Sequence, residues 1–341
     1  VGQFEFKLTH YPDVASIAKR GHAMKTRRQF LSQSAMLTGG ALLWSLNLHP
    51  DAEGSTREPN IAFPSGPRDR LAVASYPFRD FIVPEEYVSA GAAKAPKMEL
   101  TEFAAHVKSR FNMSKIEPWS SHFRSLEPKY LDSLRAAVDR AKSAVVNIAF
   151  DGQHSFYASD SAERERAVID NKMWIDAAAA LGSPNLRTHI APADNKGPDL
   201  ERCGDTLLRI VEHAAKRKVV VHLENDDGMT EDPVFLAKLI EKVNSPWLRG
   251  LPDFGNSLMH KAPEDAYAGL EAMFQHSYGI CHVKQSEATE KGANVDVDLA
   301  YAFSILKKSG FRGYLSMEYD NSGDPYKGTE ELIAASLRYL A

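Results

Sequence analysis

The chain has 341 residues, 43% of them hydrophobic, and a formal charge of −4. This is ordinary globular composition, long enough for one large domain or two modest ones, with no basic surplus to suit a nucleic-acid surface. Two cysteines, Cys203 and Cys281, cannot form a disulfide framework, so two free buried thiols are expected.

Residues 24–48 read MKTRRQFLSQSAMLTGGALLWSLNL. Arg27 and Arg28 precede Phe30-Leu31 and a short apolar stretch. This resembles a twin-arginine export signal, with Ser32 where a Lys is usual. Ala35–Leu48 is too short and too mixed to be a membrane span. The expectation is an exported, periplasmic protein with no stable span after processing. An amphipathic N-terminal helix or an uncleaved anchor is the alternative. Met24 then reads as the start of the protein, and residues 1–23 as an upstream extension that is not used. Residues 49–69, rich in Pro, Gly, Ser and charge, read as a linker.

From residue 70 to 341 short apolar runs alternate with helical stretches. The predicted strands are LAVASY (71–76), KIEPW (115–119), AVVNIAF (144–150), NLRTHIA (185–191), VVVHLEN (219–225), LRGLPDF (248–254), ICHVKQ (280–285) and YLSMEYD (314–320). Apolar residues three and four apart predict helices over 99–111, 129–142, 162–182 and 199–218. Such alternation implies parallel strands with right-handed crossovers. Eight units in about 270 residues match a single-domain (β/α)8 TIM barrel. An open doubly wound sheet would be expected to carry a Gly-rich turn after its first strand, and SYPFRDF (75–81) contains no glycine.

A barrel of this kind carries its active site at the C-terminal ends of the strands. Strand five ends in Glu224 and strand six in Asp253. Strand seven holds His282, and strand eight ends in Glu318. Coming from consecutive strands, these side chains can converge at one mouth. Three carboxylates and an imidazole suit one divalent ion: Mn2+, Mg2+, Co2+ or Fe2+, with Zn2+ also compatible. Without an ion the carboxylates would repel one another, and some would stay protonated. His222 shares a face with Glu224. It reads either as a partner that supports a ligand or as a satisfied core histidine.

The order Glu, Asp, His, Glu, at spacings of 29, 29 and 36 residues, resembles the xylose isomerase-like barrel superfamily. The closest resemblance is to the sugar phosphate isomerase/epimerase group that includes tagatose and psicose 3-epimerases. CHVKQ resembles that group's H-x-K-D, with Gln285 in place of Asp. KIEPW resembles its G-I-E through Glu117, and NLRTHI its R-x-H segment through Arg187 and His189. The resemblance covers residues 70–341. It implies a metal-dependent isomerase or epimerase acting on a sugar through an enediolate. Glu224 and Glu318 would be both ligands and the acid/base pair. His122, Arg187, His189, His260 and Lys284 are the expected substrate-binding residues. Tyr76, Phe78, Phe81 and Trp119 read as an apolar floor or as plain core.

Two positions depart from the 3-epimerases. Thr230, with Glu231 beside it, stands where a substrate-touching Glu is usual, and Asn256 stands where a His is usual. The same base chemistry can expel a group β to the carbonyl, so a lyase or hydratase acting on 3-keto sugars or 3-keto-glycosides is the runner-up. An endonuclease IV-like enzyme would need many more His and Asp ligands. A non-catalytic carbohydrate-binding barrel is the remaining alternative. The expected partner is a small-molecule sugar or keto-sugar, with no nucleic acid. Barrels of this family often pair, so the resemblance is compatible with a homo-oligomer, although the sequence does not reveal the oligomeric state.

Overall fold

The computed structural model describes residues 58–84, 97–193, 197–288, 294–321 and 323–341. The expected extension, the export signal and the first part of the linker lie outside the described residues. In chain order the strands are β1 (Leu71–Ala74), β2 (Ile82–Val83), β3 (Met98–Glu99), β4 (Lys115–Glu117), β5 (Ala144–Val145), β6 (Ala149–Phe150) and β7 (Asn185–Thr188). They continue with β8 (Val220–Glu224), β9 (Leu248–Leu251), β10 (Ile280–Val283), β11 (Ser286–Ala288), β12 (Asn294–Asp296) and β13 (Tyr314–Met317). The helices are α1 (Pro67–Arg70), α2 (Leu100–Phe111), α3 (Pro128–Arg140), α4 (Ser161–Leu181), α5 (Leu200–Arg217), α6 (Pro233–Val243), α7 (Pro263–Gln275), α8 (Leu299–Ser309) and α9 (Pro325–Leu340).

The parallel order β10-β13-β1-β4-β5 forms one arc and β6-β7-β8-β9 the other. Two parallel bridges join the arcs, Trp119 to Ala149 and Asp253 to His282. The expected strand 144–150 is interrupted into β5 and β6, and it carries the sheet from one arc to the next. The result is the TIM barrel expected from the alternation. Two small additions lie outside it: β2 pairs with β3, and β11 with β12 as an antiparallel pair directly after β10.

The helices form where the periodicity places them. In α5 the buried face is Cys203, Leu207, Ile210, Val211 and Ala214, and each fully buried Leu or Ile there contributes about 2 kcal/mol. Asp199 caps its start by accepting from the Arg202 amide at 2.9 Å. Asp160, Asp232, Asp298 and Asp324 cap α4, α6, α8 and α9 in the same manner. Aspartates at the starts of helices on the mouth side are therefore mostly structural, and this is the background against which a functional carboxylate must be judged.

The tail of the expected linker is held to the barrel. The Ile61 amide donates to the Tyr278 hydroxyl at 3.1 Å, and that hydroxyl donates to the Pro59 carbonyl at 2.9 Å. Phe63 packs edge-on against Tyr278 and Tyr314. Ile61 and Phe63 thus cover the apolar cluster of Ala72, Val146, Leu251, Ile280 and Tyr314. These two apolar residues in a polar stretch have a face to bury, which composition averaged over 49–69 conceals.

Candidate functional site

β8 ends in Glu224, Asp253 follows β9 by two residues, His282 lies in β10, and Glu318 follows β13 directly. All four are buried, with 1%, 1%, 0% and 7% exposure. One donor atom from each lies within 4.8 Å of the others. His282 is the centre of the group. Its Nδ1 is 2.7 Å from Glu224 Oε1 and 2.9 Å from Glu318 Oε2.

Asp253 is held by its backbone and by one of its two oxygens. Its Oδ1 accepts from the Gly255 and Asn256 amides at 2.8 and 2.7 Å. Its Oδ2 is buried with no hydrogen-bond partner; Lys284 Nζ and His282 Nδ1 stand 3.8 and 3.9 Å away. A buried carboxylate oxygen left unsatisfied costs about 1–3 kcal/mol or more. Here it faces an imidazole nitrogen and two further carboxylates. A hard, oxygen-rich donor set around an orphaned oxygen fits a divalent ion.

The electrostatics agree. Burial opposes ionisation of Glu224, but His282 and Arg187 hold its carboxyl well below the usual range. Burial pushes Asp253 up, and the nearby Glu224 and Glu318 charges add to this against Lys284. Burial disfavours a charged His282, yet Glu117, Glu224 and Glu318 raise it well above the ordinary imidazole value. The carboxylates crowded around His282 thus favour positive charge at the centre of the group.

Glu117, at the end of β4, fixes the imidazole from behind. Both its oxygens face His282 Nε2, at 2.9 and 3.1 Å. Asn147 Nδ2 donates to Glu117 Oε1 at 2.5 Å. Nε2 therefore keeps its hydrogen, and the Nδ1 lone pair is left for a ligand role.

Arg187, on β7, ties Glu224 to the rim. Its Nε donates to Glu224 Oε2 at 2.5 Å and its second terminal nitrogen to Asp226 Oδ2 at 3.2 Å. The remaining terminal nitrogen bonds Asp151, which also accepts from Trp119 Nε1 at 2.5 Å. Asp226 is thus a partner of Arg187 and not only part of the loop. Asp227 Oδ1 does serve the loop, accepting from the Met229 and Thr230 amides. His189 Nδ1 lies 2.8 Å from Glu231 Oε2. Lys284, 4% exposed, donates to Asn256 Oδ1 at 2.6 Å and to Glu287 Oε2 at 2.9 Å.

Among the described residues, two expected substrate contacts, His122 and His260, share no hydrogen bond with the four candidate ligands. His122 is fully buried. Ser75 Oγ accepts from the Trp119 amide at 2.8 Å and hydrogen-bonds His122 Nδ1, also at 2.8 Å. Burial, with Arg79 nearby, pushes the His122 imidazole down to about 3, so it is neutral. His260 is exposed and lies against Gly228, where an added Cβ would come within 2.7 Å of its ring. His222 resolves as a core histidine. Its Nε2 is 2.9 Å from Asn185 Oδ1, burial pushes it down to about 4, and Gly279 is required beside it. A Cβ at Gly279 would lie 2.1 Å from Asn185 Oδ1 and 2.6 Å from His222 Nε2. Among the four aromatics, Phe78 belongs to the outer core with Phe103 and Tyr326. Phe81 packs on Tyr326 as well. Tyr76 and Trp119 meet edge to face at 5.1 Å, and Arg79 lies over Tyr76.

Residues 107–341 match the model of the family described as xylose isomerase-like TIM barrel. The chain belongs to this family. No curated protein is a significant match to the chain. Among solved structures, a xylose isomerase-like TIM barrel protein from Mycobacterium smegmatis in complex with magnesium is 15% identical. It aligns over 80% of this chain and 98% of its own, with a TM-score of 0.59. An L-ribulose 3-epimerase is 15% identical over 80% and 95% of the two chains, TM-score 0.60. A 3-keto-D-glucoside 4-epimerase from E. coli is 15% identical over 79% and 98%, TM-score 0.59. At this identity the likenesses show the fold.

Within this xylose isomerase-like barrel the carboxylates without an expected role include Glu117, Asp151, Glu231 and Glu287. Asp151 follows β6 directly, so the strand-end rule that found Glu224 would also have found it. Glu117 stood in a motif with no chemistry assigned to it. Glu231 and Glu287 lie in or beside loops, where no periodicity points.

Proposed function

We propose that the protein is a metal-dependent isomerase or epimerase of a non-phosphorylated sugar or keto-sugar, moving a proton at the carbon next to a carbonyl. The observation that carries this reading is the convergence of Glu224, Asp253, His282 and Glu318 around the orphaned Asp253 Oδ2. The activities of structurally similar proteins support the reaction class: L-ribulose 3-epimerase, D-allulose 3-epimerase and 3-keto-D-glucoside 4-epimerase.

A divalent ion held by these four residues, of the Mn2+, Mg2+, Co2+ or Fe2+ type, would supply Lewis acidity toward the substrate oxygens. The chain's own groups do the rest. Glu224 and Glu318 approach His282 Nδ1 as two separate carboxylates, so one can remove the proton and the other return it. Arg187 holds the outer oxygen of Glu224 in place, which keeps a weak base aimed at the C–H bond. Lys284 and Asn256 offer hydrogen-bond donors at the same mouth.

The charge at the mouth supports a substrate without phosphate. The cations placed at the mouth by the described residues each face a carboxylate already. Arg187 faces three, His189 faces Glu231, Lys284 faces Glu287 and Arg79 faces Asp320. A phosphate would meet paired cations and surplus acid.

The test is solvent deuterium exchange into a panel of ketoses and 3-keto-glucosides. Exchange with one member, lost in Glu318→Gln with melting behaviour kept, is the expected result. No exchange with any member would overturn the reading. Export by a twin-arginine route to the periplasm is part of the same proposal and rests on residues 24–48. A reporter carrying residues 24–69 should cross the membrane only in cells that have that translocase.

A further inference from the structure

α4 is the longest helix among the described residues, 21 residues from Ser161 to Leu181. Its inner face, with Val168, Asn171, Trp174, Ile175, Ala178 and Leu181, is buried. A helix seated on a sheet needs one such stripe and leaves its other side to charged residues. α5, beside it, follows that rule: its exposed positions include Glu201, Arg202, Asp205, Arg209, Glu212 and Lys216, interrupted by Leu208. α4 departs from it. Ile169 is 48% exposed and Met173 38%. Both lie on one outer stripe of exposed residues, Ala162, Arg166, Ile169, Met173, Asp176 and Ala180, at steps of four, three, four, three and four. That is the a/d spacing of a coiled-coil seam. Single apolar residues on a surface are ordinary, but a heptad seam with two large ones at its centre is not.

The seam is symmetric about Asn171. Ile169 and Met173 lie two residues to either side of it, Arg166 and Asp176 five, Ala162 and Ala180 nine. A second copy related by a twofold axis at that level runs antiparallel, and each residue faces the position equally far on the other side of Asn171. Ile169 then meets Met173 of the other copy, twice over. Arg166 meets Asp176, also twice. The alanines at the two ends let the backbones approach. A parallel pair would instead set Arg166 against Arg166 and Asp176 against Asp176, so the charges select the antiparallel arrangement. We propose that this outer face of α4 is the contact between two copies of the chain, paired antiparallel about Asn171. The inference does not depend on the proposed reaction.

The partners these charges have within one copy are compatible with it. Arg166 bonds Glu163 at 2.5 and 3.2 Å, and Asp176 faces His213 and Arg217 at 2.8 and 2.9 Å. Such exposed pairs contribute little, and a guanidinium or a carboxylate can serve more than one partner. Asp170, beside the axis, faces His154 Nε2 of its own copy at 3.6 Å. Lys172, on the other flank, is long enough to turn its ammonium to solvent. The seam is about 27 Å long by the rise of a helix, and two straight helices keep such a seam in contact by crossing at about 20°. A contact of this length is at the small end of specific interfaces, so the pairing depends on concentration. α4 follows β6 and so begins at the mouth end of the barrel. Two antiparallel copies therefore open their mouths in opposite directions, and neither site is covered.

The experiment is sedimentation velocity on the full chain from about 1 to about 100 μM. It compares native protein with Arg166→Asp, with Asp176→Arg and with an equal mixture of the two variants. Both side chains are half exposed, so both variants should fold, and their melting temperatures check this. Native protein should pass from monomer to dimer across the series. Each variant alone should dimerise about tenfold or more weakly, because like charges now meet at both ends of the seam. The mixture should recover the native dimer: the introduced carboxylate of one chain faces the introduced guanidinium of the other, and the remaining Arg166 and Asp176 face each other. Ile169→Glu tests the centre of the seam without touching either charge and should leave monomer alone. Native protein that is monomeric throughout would overturn the proposal. So would a native dimer that none of the substitutions weakens, or a mixture that associates no better than its two parts.

Discussion

Glu117→Gln isolates how much the metal site depends on a residue that would not touch the ion. The Glu117 side chain is buried, and both its oxygens face His282 Nε2. It is the group that settles which imidazole nitrogen carries hydrogen. The substitution keeps the volume but removes the charge and turns one oxygen into a donor. That donor must face either His282 Nε2–H or Asn147 Nδ2, which already points at Glu117 Oε1 from 2.5 Å. Either arrangement sets donor against donor and lets the ring rotate away from Glu224 and Glu318. Loss of a partner of this type weakens metal binding by about 10–100-fold, which is about 1.4–2.8 kcal/mol. Titration calorimetry with Mn2+ on chelator-stripped protein would measure it. Native and variant affinities within twofold of each other would refute the role given to Glu117.

Two other outcomes follow from the same geometry. Asp253→Asn keeps the oxygen that accepts from the Gly255 and Asn256 amides and removes one of three crowded carboxylates. Metal-free protein should melt at or above the native temperature, while the stabilisation by added Mn2+ should disappear; a metal-induced shift equal to native would contradict the ligand assignment. His122 is held neutral in the fold at about 3, against about 6.5 when unfolded. Below pH 6.5 the unfolded chain binds a proton that the fold refuses. Stability is therefore full above that pH and falls as pH drops toward 3. The loss from this one group is about 2 kcal/mol at pH 5. Urea midpoints at pH 7 and pH 5 should show that fall in native protein, and a slope smaller by that amount in His122→Asn.

Much of the fold was legible because the strands and helices each obey one period. The four candidate ligands were legible for a related reason: a barrel puts consecutive strand ends in one place, so four unremarkable residues became one set. Residues that act through others were harder to read. Glu117 looks like any acid at a strand end until His282, 165 positions later, is placed against it. His122 follows a strand as a ligand would, yet the Ser75 hydroxyl turns it inward. Glu231 lies in a loop, and its pairing with His189 depends on how that loop folds back over β7. Asp226 and Asp227 are adjacent in sequence, but one pairs with Arg187 and the other caps a turn. Local sequence contains no signal for that division, because it is set by where the Arg187 guanidinium sits.

Diffraction from crystals grown with Mn2+, at a wavelength where manganese scatters anomalously, tests the central claim most directly. The account predicts one strong anomalous peak within bonding distance of Glu224, Asp253, His282 Nδ1 and Glu318. A peak between His189, Asp226 and Glu231 instead, or none at the four strand ends, would contradict it.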